Sequence, residues 1–112
     1  MRARVLALQH DLEGAAQGLE TAAELDAQNP QYALALAELA VERNQNEEAR
    51  EWCRKALELE PTLVSARANL GVLALRAGDV AEARSMLAVL QRQSPSHPRT
   101  VALREGVEKL GR

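Results

Sequence analysis

The chain has no phenylalanine, and one tryptophan and one tyrosine are its only aromatic residues. Single-stranded nucleic acids are held by aromatic stacking platforms set among basic side chains. A net charge of −2 supplies no basic excess either, which argues against nucleic-acid binding. The single cysteine, Cys53, can form no internal disulfide and says little about compartment. No apolar run reaches 18 residues, so nothing in the sequence inserts into or spans a membrane as a helix. The opening Met1–Leu8 has a basic start, but its apolar run stops at Gln9-His10-Asp11, too short for a secretory signal. A complete protein of this sequence is expected to be cytoplasmic; for a piece of a longer one, an export or anchor segment stays open. Glycine-rich phosphate loops, metalloprotease helix motifs and paired-cysteine motifs are missing. No period-two run of β-branched residues competes with helix.

What is present is a repeat of 34 residues. Laying Pro30–Leu63 over Val64–His97 superposes Leu36 on Leu70, Ala37 on Gly71, Ala40 on Ala74, Glu48-Ala49-Arg50 on Glu82-Ala83-Arg84, and Pro61 on Pro95. The same shift brings Ala15, Leu19 and Ala22 onto Ala49, Cys53 and Ala56. A fixed period of this size means stacked copies of one small unit. Within each copy two apolar stripes recur three and four residues apart, as one face of a helix requires. Between the stripes lie Asn44-Gln45-Asn46 in one copy and Gly78-Asp79 in the next, with His10-Asp11 as the first-copy equivalent. Asn, Gly and His are the residues that take a left-handed backbone at a helix end, and Asp79 and Asn46 are expected to cap the helices that follow. Asn29-Pro30 and His97-Pro98, two periods apart, read as helix starts. Gly71 is expected to let two helix backbones approach closely.

The expected map is seven helices: a partial one over Arg2–Gln9, then Leu12–Asp26, Pro30–Arg43, Asn46–Glu60, Val64–Ala77, Val80–Gln93 and Pro98–Leu110. Ala, Leu, Glu, Arg and Gln, which dominate these segments, are all good helix formers. At 112 residues this is one domain.

The third copy reads Arg67-x-x-Leu70-Gly71-x-x-Ala74, then Ala83-x-x-x-Leu87-x-x-Leu90, then Pro95. The second reads Ala33-x-x-Leu36-Ala37-x-x-Ala40, Ala49-x-x-x-Cys53-x-x-Ala56, Pro61. These spacings resemble the tetratricopeptide repeat over nearly the whole chain. The departures are the aromatic slots, where Arg67, Ala33, Ala74 and Ala40 stand for bulkier residues. The resemblance implies an all-α fold, an α-solenoid of stacked antiparallel helix pairs. Residues 1–29 would form a partial first repeat, 30–63 the second, 64–97 the third, and 98–112 a capping helix whose polar outer face closes the stack. The first helix begins inside the pattern; either the stack opens on a short helix, or Met1 starts a piece of a longer protein.

In proteins with this repeat the first helix of each pair lines a concave groove. Carried over by position, the second copy contributes Gln31, Leu34, Glu38, Val41 and Glu42. The third contributes Ser65, Ala68, Asn69, Val72, Leu75 and Arg76, while Arg4 and Leu8 join from the first helix and Arg99 from the last. Some family members clamp a C-terminal carboxylate with polar groove residues. Here Leu34, Ala35, Ser65 and Ala68 occupy several of those places and only Asn69 remains, which argues against a chaperone-tail clamp. The implied groove is mostly apolar, a contact site for another protein's amphipathic helix or extended peptide, with Glu38, Glu42 and Arg76 setting its orientation. The expected function is a non-catalytic interaction or scaffold module. The alternatives are a regulatory or recruiting segment of a larger enzyme or secretion machine, and a self-associating structural unit. Residues 11–60 carry 12 acids and 4 bases, a net of −8, and residues 84–112 carry 6 bases and 2 acids, a net of +4. That asymmetry allows a head-to-tail homo-oligomer, although solvated surfaces that happen to differ are the plainer explanation.

Chemistry is thin. Cys53 falls where Leu19 and Leu87 fall, so a small buried apolar role precedes a nucleophilic one. His10-Asp11 reads as a turn and cap before a catalytic pair. Ser94-Pro95-Ser96-His97 reads as a helix start, because sequence neighbours on a turn rarely meet in a nucleophile–base geometry. Neither histidine has ligands at metal spacing, and no cofactor is implied. Trp52, with Gly18 and Met86 as its repeat equivalents, is either a contact hot spot or a large residue half-covering the outer helix face.

Overall fold

The computed structural model describes residues 2–110, with side chains described from residue 11 onward. Among the described residues there are six helices: α1 (Arg2–Leu25), α2 (Pro30–Glu42), α3 (Asn46–Leu59), α4 (Val64–Arg76), α5 (Val80–Gln93) and α6 (Pro98–Leu110). Short loops turn α2 back against α3, and α4 against α5. The pairs lie side by side in a stack 21 Å thick, about two helix diameters.

The turns inside the pairs explain the 34-residue spacing of Asn44 and Gly78. Both take positive φ, 60° and 81°. After α2, the Gln45 N–H donates to the Ala40 carbonyl at 2.8 Å and the Asn44 N–H to that of Val41 at 3.1 Å. After α4, the Asp79 N–H reaches the Ala74 carbonyl at 2.8 Å and the Gly78 N–H that of Leu75 at 3.0 Å. Each is a Schellman motif, satisfying carbonyls that a helix end otherwise leaves unpaired. The expected third such break, at His10-Asp11, does not form: α1 runs straight through it, and there are six helices where seven were expected. The physical reason is at the turn itself. Position 10 has neither the glycine nor the asparagine that turns the other two pairs, and left-handed backbone costs most other residues about 1–2 kcal/mol, so uninterrupted helix is the cheaper course.

Caps follow the sequence in part. Asn29 Oδ1 accepts from the Gln31 N–H at 3.0 Å, and His97 Nδ1 accepts from the Arg99 N–H at 3.1 Å, each just before a proline in the first turn. Asp79 Oδ1 accepts from the Glu82 N–H at 3.1 Å at the start of α5. Asn46, expected as a cap, is instead the first helical residue of α3; Gln45 holds the cap position without a side-chain bond.

The core runs along the stack in three contiguous clusters. Ala33, Ala56 and Ala66 meet where α2, α3 and α4 converge. Ala37, Ala40, Ala49, Cys53, Leu70 and Leu73 continue it, and Ala68, Ala74, Ala83, Leu87, Leu90, Leu103 and Val107 seal α4 and α5 under α6. Leu36, Leu70, Ala49 and Ala83 are all buried, as the repeat pattern requires. Gly71 does allow close approach, but to a side chain rather than to a backbone: a β-carbon there would sit 2.6 Å from Leu103 Cδ2.

One polar cluster ties the pairs together. Arg50 on α3 is buried, and its guanidinium donates to Glu47 Oε1 at 3.2 Å and to Asp79 Oδ2 at 3.1 Å. Glu82 Oε1 lies 3.2 Å away, and Glu82 Oε2 accepts from Arg54 at 2.7 Å. Burial works against the Arg50 charge, but Glu82 and then Glu47 outweigh it and raise its pKa above the ordinary value. Asp79 therefore both caps α5 and anchors α3.

Arg50→Ala is expected to cost about 2 kcal/mol, since it strips charge-assisted bonds from partly buried carboxylates. Glu47→Ala, at the solvent-facing end of the same cluster, should stay within about 0.5 kcal/mol. Gly71→Leu should cost about 2 kcal/mol through overpacking against Leu103. Thermal unfolding followed by circular dichroism checks all three, and equal effects of Arg50→Ala and Glu47→Ala would show that the buried anchor carries no weight.

Candidate functional site

The first helices of the pairs, α2 and α4, together with α6, border an open cleft of about 360 Å³. Its floor is Val41, Val72 and Leu73. Glu38 and Glu42, one turn apart on α2, form an acidic wall. Arg76 in the last turn of α4 and Arg99 in the first turn of α6 form a basic one. Arg76 also sits at the negative end of the α4 dipole, where a cation is favoured. Arg99 Nη1 donates to Asn69 Oδ1 at 2.9 Å, which fixes the guanidinium across the α4–α6 junction. Val72 is 37% exposed, an apolar surface left open between charges of opposite sign.

Seven of the expected groove residues line this cleft: Glu38, Val41, Glu42, Asn69, Val72, Arg76 and Arg99. The others do not. Gln31 is exposed in the first turn of α2, and Ser65 is half-buried in that of α4. Leu34 is half-buried against the Ala33–Ala56–Ala66 cluster. Ala68 is 2% exposed and belongs to the core, because α6 packs over it through Leu103 and Val107. Leu75 is drawn to the same seam, its Cδ1 lying 2.9 Å from where a β-carbon on Gly106 would stand. Arg4 and Leu8 fall outside the residues whose side chains are described. The mostly apolar groove expected from the repeat is therefore narrower in its apolar part and more charged. Leu73 was missed as a floor residue because its repeat position, shared with Leu39, reads as core, and it is indeed 2% exposed.

The remaining chemical candidates resolve into structural parts. Cys53 is fully buried, and burial first, then the charge of Glu38, pushes its thiol up to about 12 against the opposing pull of Arg54. His97 is a helix cap. Ser94 ends α5, its N–H donating to the Leu90 carbonyl at 2.7 Å. Trp52 is half-buried against the α2–α4 clusters and is not among the residues that line the cleft. Among the described residues no group of three or more His, Cys, Asp or Glu could hold a metal ion, and no helix is long and apolar enough to cross a membrane.

Two family models described as tetratricopeptide repeat match the chain, one over residues 47–105 and the other over residues 1–63. The chain is 32% identical over 100 residues to human tetratricopeptide repeat protein 34, a match that covers 88% of this chain and 18% of that protein. Among solved structures, the first TPR of Spaghetti (RPAP3) bound to the HSP90 peptide SRMEEVD superposes with a TM-score of 0.81 at 16% identity, covering 99% of this chain and 89% of that one. The type III secretion chaperone SycD of Yersinia enterocolitica, in complex with a peptide of the translocator YopD, superposes with a TM-score of 0.80 at 17% identity, covering 97% and 86%. At these identities the likeness is one of fold.

The thiol sharpens into a measurement. Burial pushes the Cys53 thiol from its ordinary 9.0 up to about 12. Native protein is expected to resist a disulfide reagent such as DTNB at pH 8 and to react stoichiometrically once unfolded in guanidinium. By linkage, the raised thiol stabilises the fold below about pH 9, and that contribution is lost as pH rises toward about 12. Rapid labelling of folded protein at pH 8 would contradict the burial of Cys53.

Proposed function

The chain belongs to the tetratricopeptide repeat family, and on that premise we propose that it is a non-catalytic interaction module whose α2–α4–α6 cleft holds a segment of another protein. The observation that carries this reading is the division of the cleft: carboxylates of Glu38 and Glu42 on one side, guanidiniums of Arg76 and Arg99 on the other, and Val41 and Val72 between. A segment suited to it has an apolar residue to cover the valines. It has a basic residue to one side for the α2 carboxylates and an acidic residue to the other for the two arginines. The apolar contact supplies affinity; the opposed charges fix direction and reject a segment laid in backwards. Peptides sit on the superposable Spaghetti and SycD folds, which supports a peptide or a single amphipathic helix as the occupant.

The same module suits a recruiting segment within a longer protein. The chain spans 18% of the length of the human relative it matches, and repeat stacks of this kind serve as surfaces more than as sites of bond breakage.

Peptides selected against the chain by phage display provide the test. Val72→Glu places a charge on the apolar floor without entering the core. It is expected to weaken the selected peptides about tenfold or more while leaving the circular dichroism spectrum and Tm unchanged. Arg76→Glu should reverse the charge preference at one end of the peptide, and Arg84→Ala, exposed on α5, should do nothing. Selected peptides that bind Val72→Glu and wild type equally would remove the cleft as the site.

A further inference from the structure

A second opening lies between α1 and α3, lined by none of the residues that line the α2–α4–α6 cleft. Its volume is about 440 Å³, within the range of about 300–1,000 Å³ usual for sites that take a ligand group. The repeat itself explains why it is open. Shifted by 34 residues, Ala23 corresponds to Leu57, Asn29 to Leu63, and Ala33 to Arg67. In the next copy those positions hold the larger residues. Leu57 and Leu63 pack into the core, and Arg67 straps the loop by donating to the Pro61 carbonyl at 2.8 Å. Between α1 and α3 the smaller set leaves the space unfilled, although the protein holds the larger solution one repeat away.

The walls say what the space would take. Trp52 stands where the next copy has Met86, and Leu59 and Ala33 continue the apolar side. Glu20 and Glu24, one turn apart on α1, face Lys55 on α3 across the opening. Among the described residues none of these three charged groups takes part in an ion pair. Two carboxylates against one ammonium favour a cation, and the net charge of −8 over residues 11–60 extends that preference beyond the opening. A side chain with an aliphatic stem and a cationic head matches both halves of the lining. Arginine matches better than lysine, because a planar guanidinium stacks on an indole and pairs with a carboxylate in two-point geometry.

We propose that this opening is a docking pocket for an arginine presented by a basic segment of a partner protein, with Trp52 and Leu59 receiving the stem and Glu20 and Glu24 receiving the guanidinium. It stands independently of the cleft on the α2–α4–α6 side.

Trp52 is the only tryptophan, so its fluorescence reports occupancy directly. The probes are the capped peptides Ala-Leu-Arg-Leu-Ala and Ala-Leu-Gln-Leu-Ala, titrated into wild type and three variants. Wild type is expected to give a saturable change with the arginine peptide and about tenfold weaker binding of the glutamine peptide. Glu20→Gln with Glu24→Gln should weaken the arginine peptide by about the same factor and leave the glutamine peptide unmoved. Ala23→Leu carries the side chain that the next copy has at that position and leaves the Asn29 cap of α2 in place. It should weaken the arginine peptide about tenfold while the Tm holds or rises, as cavity filling predicts. Val72→Glu should bind the arginine peptide like wild type, which separates this pocket from the peptide cleft. No saturable signal with the arginine peptide, equal binding of both peptides, or an undiminished response in the filled variant would each overturn the pocket.

Discussion

Alanine sets the spacing of this stack. Ala33, Ala37 and Ala40 on α2 meet Ala49 and Ala56 on α3, and Ala66, Ala74 and Ala83 continue the seam through α4 and α5, all at most 3% exposed. Short side chains let helices pack at the close end of the usual interaxial range. They contribute little apolar area per contact, since hydrophobic stabilisation scales with area. Leu70, Leu73, Leu87, Leu90 and Leu103 make up the deficit from a few positions. The chain has no phenylalanine, and its two rings, Trp52 and Tyr32, are only half-buried, so no large ring sits inside the core and the stack stays two helices thick.

A core so thin leaves more of the alignment to polar contacts. Asp79 is the hinge of that arrangement, since its two carboxylate oxygens serve different masters: one caps α5, the other holds Arg50 of α3. The cap fixes where α5 begins, and the guanidinium fixes α3 relative to that point. A buried ion pair is weak grounds for stability on its own, because desolvation offsets much of the attraction. What the contact does is geometric: it joins α3 to the first turn of α5 and so ties one helix pair to the next.

The repeat period made the interior legible before any coordinates. Leu36, Leu70, Ala49, Ala83 and Cys53 are buried where the 34-residue shift puts them, and Asn44 and Gly78 turn where it puts them. Two things escaped it. At His10 the period demanded a turn, but a period records only equivalence; whether the turn forms depends on backbone preferences that differ among His, Asn and Gly. At Ala68 and Leu75 the groove pattern failed because α6 packs against α4 and covers them. Nothing at Ala68 itself marks the difference from Leu34. The charged residues of the cleft were legible, Glu38, Glu42 and Arg76 from the repeat and Arg99 by its place on α6; the small extent of the apolar floor was not, because it depends on what α6 covers.

Agreement between copies marks the scaffold in this protein, and disagreement marks the surfaces that differ from a plain stack. Glu42 and Arg76 hold one repeat position and carry opposite charges; so the same geometric place, presented twice by adjacent helices, becomes the acidic wall and then the basic wall of a single cleft. Glu38 and Val72 are likewise one position, a carboxylate in the first instance and an open apolar floor in the second. The series Gly18, Trp52 and Met86 varies the same way on the other side, beside the Ala23 and Leu57 pair that decides whether the space is open or filled. A strictly regular repeat would offer every partner residue the same surroundings at each step and could specify neither direction nor register. Variation at the exposed and half-buried positions supplies both, while buried pairs such as Ala37 and Gly71 or Cys53 and Leu87 differ in size but stay apolar.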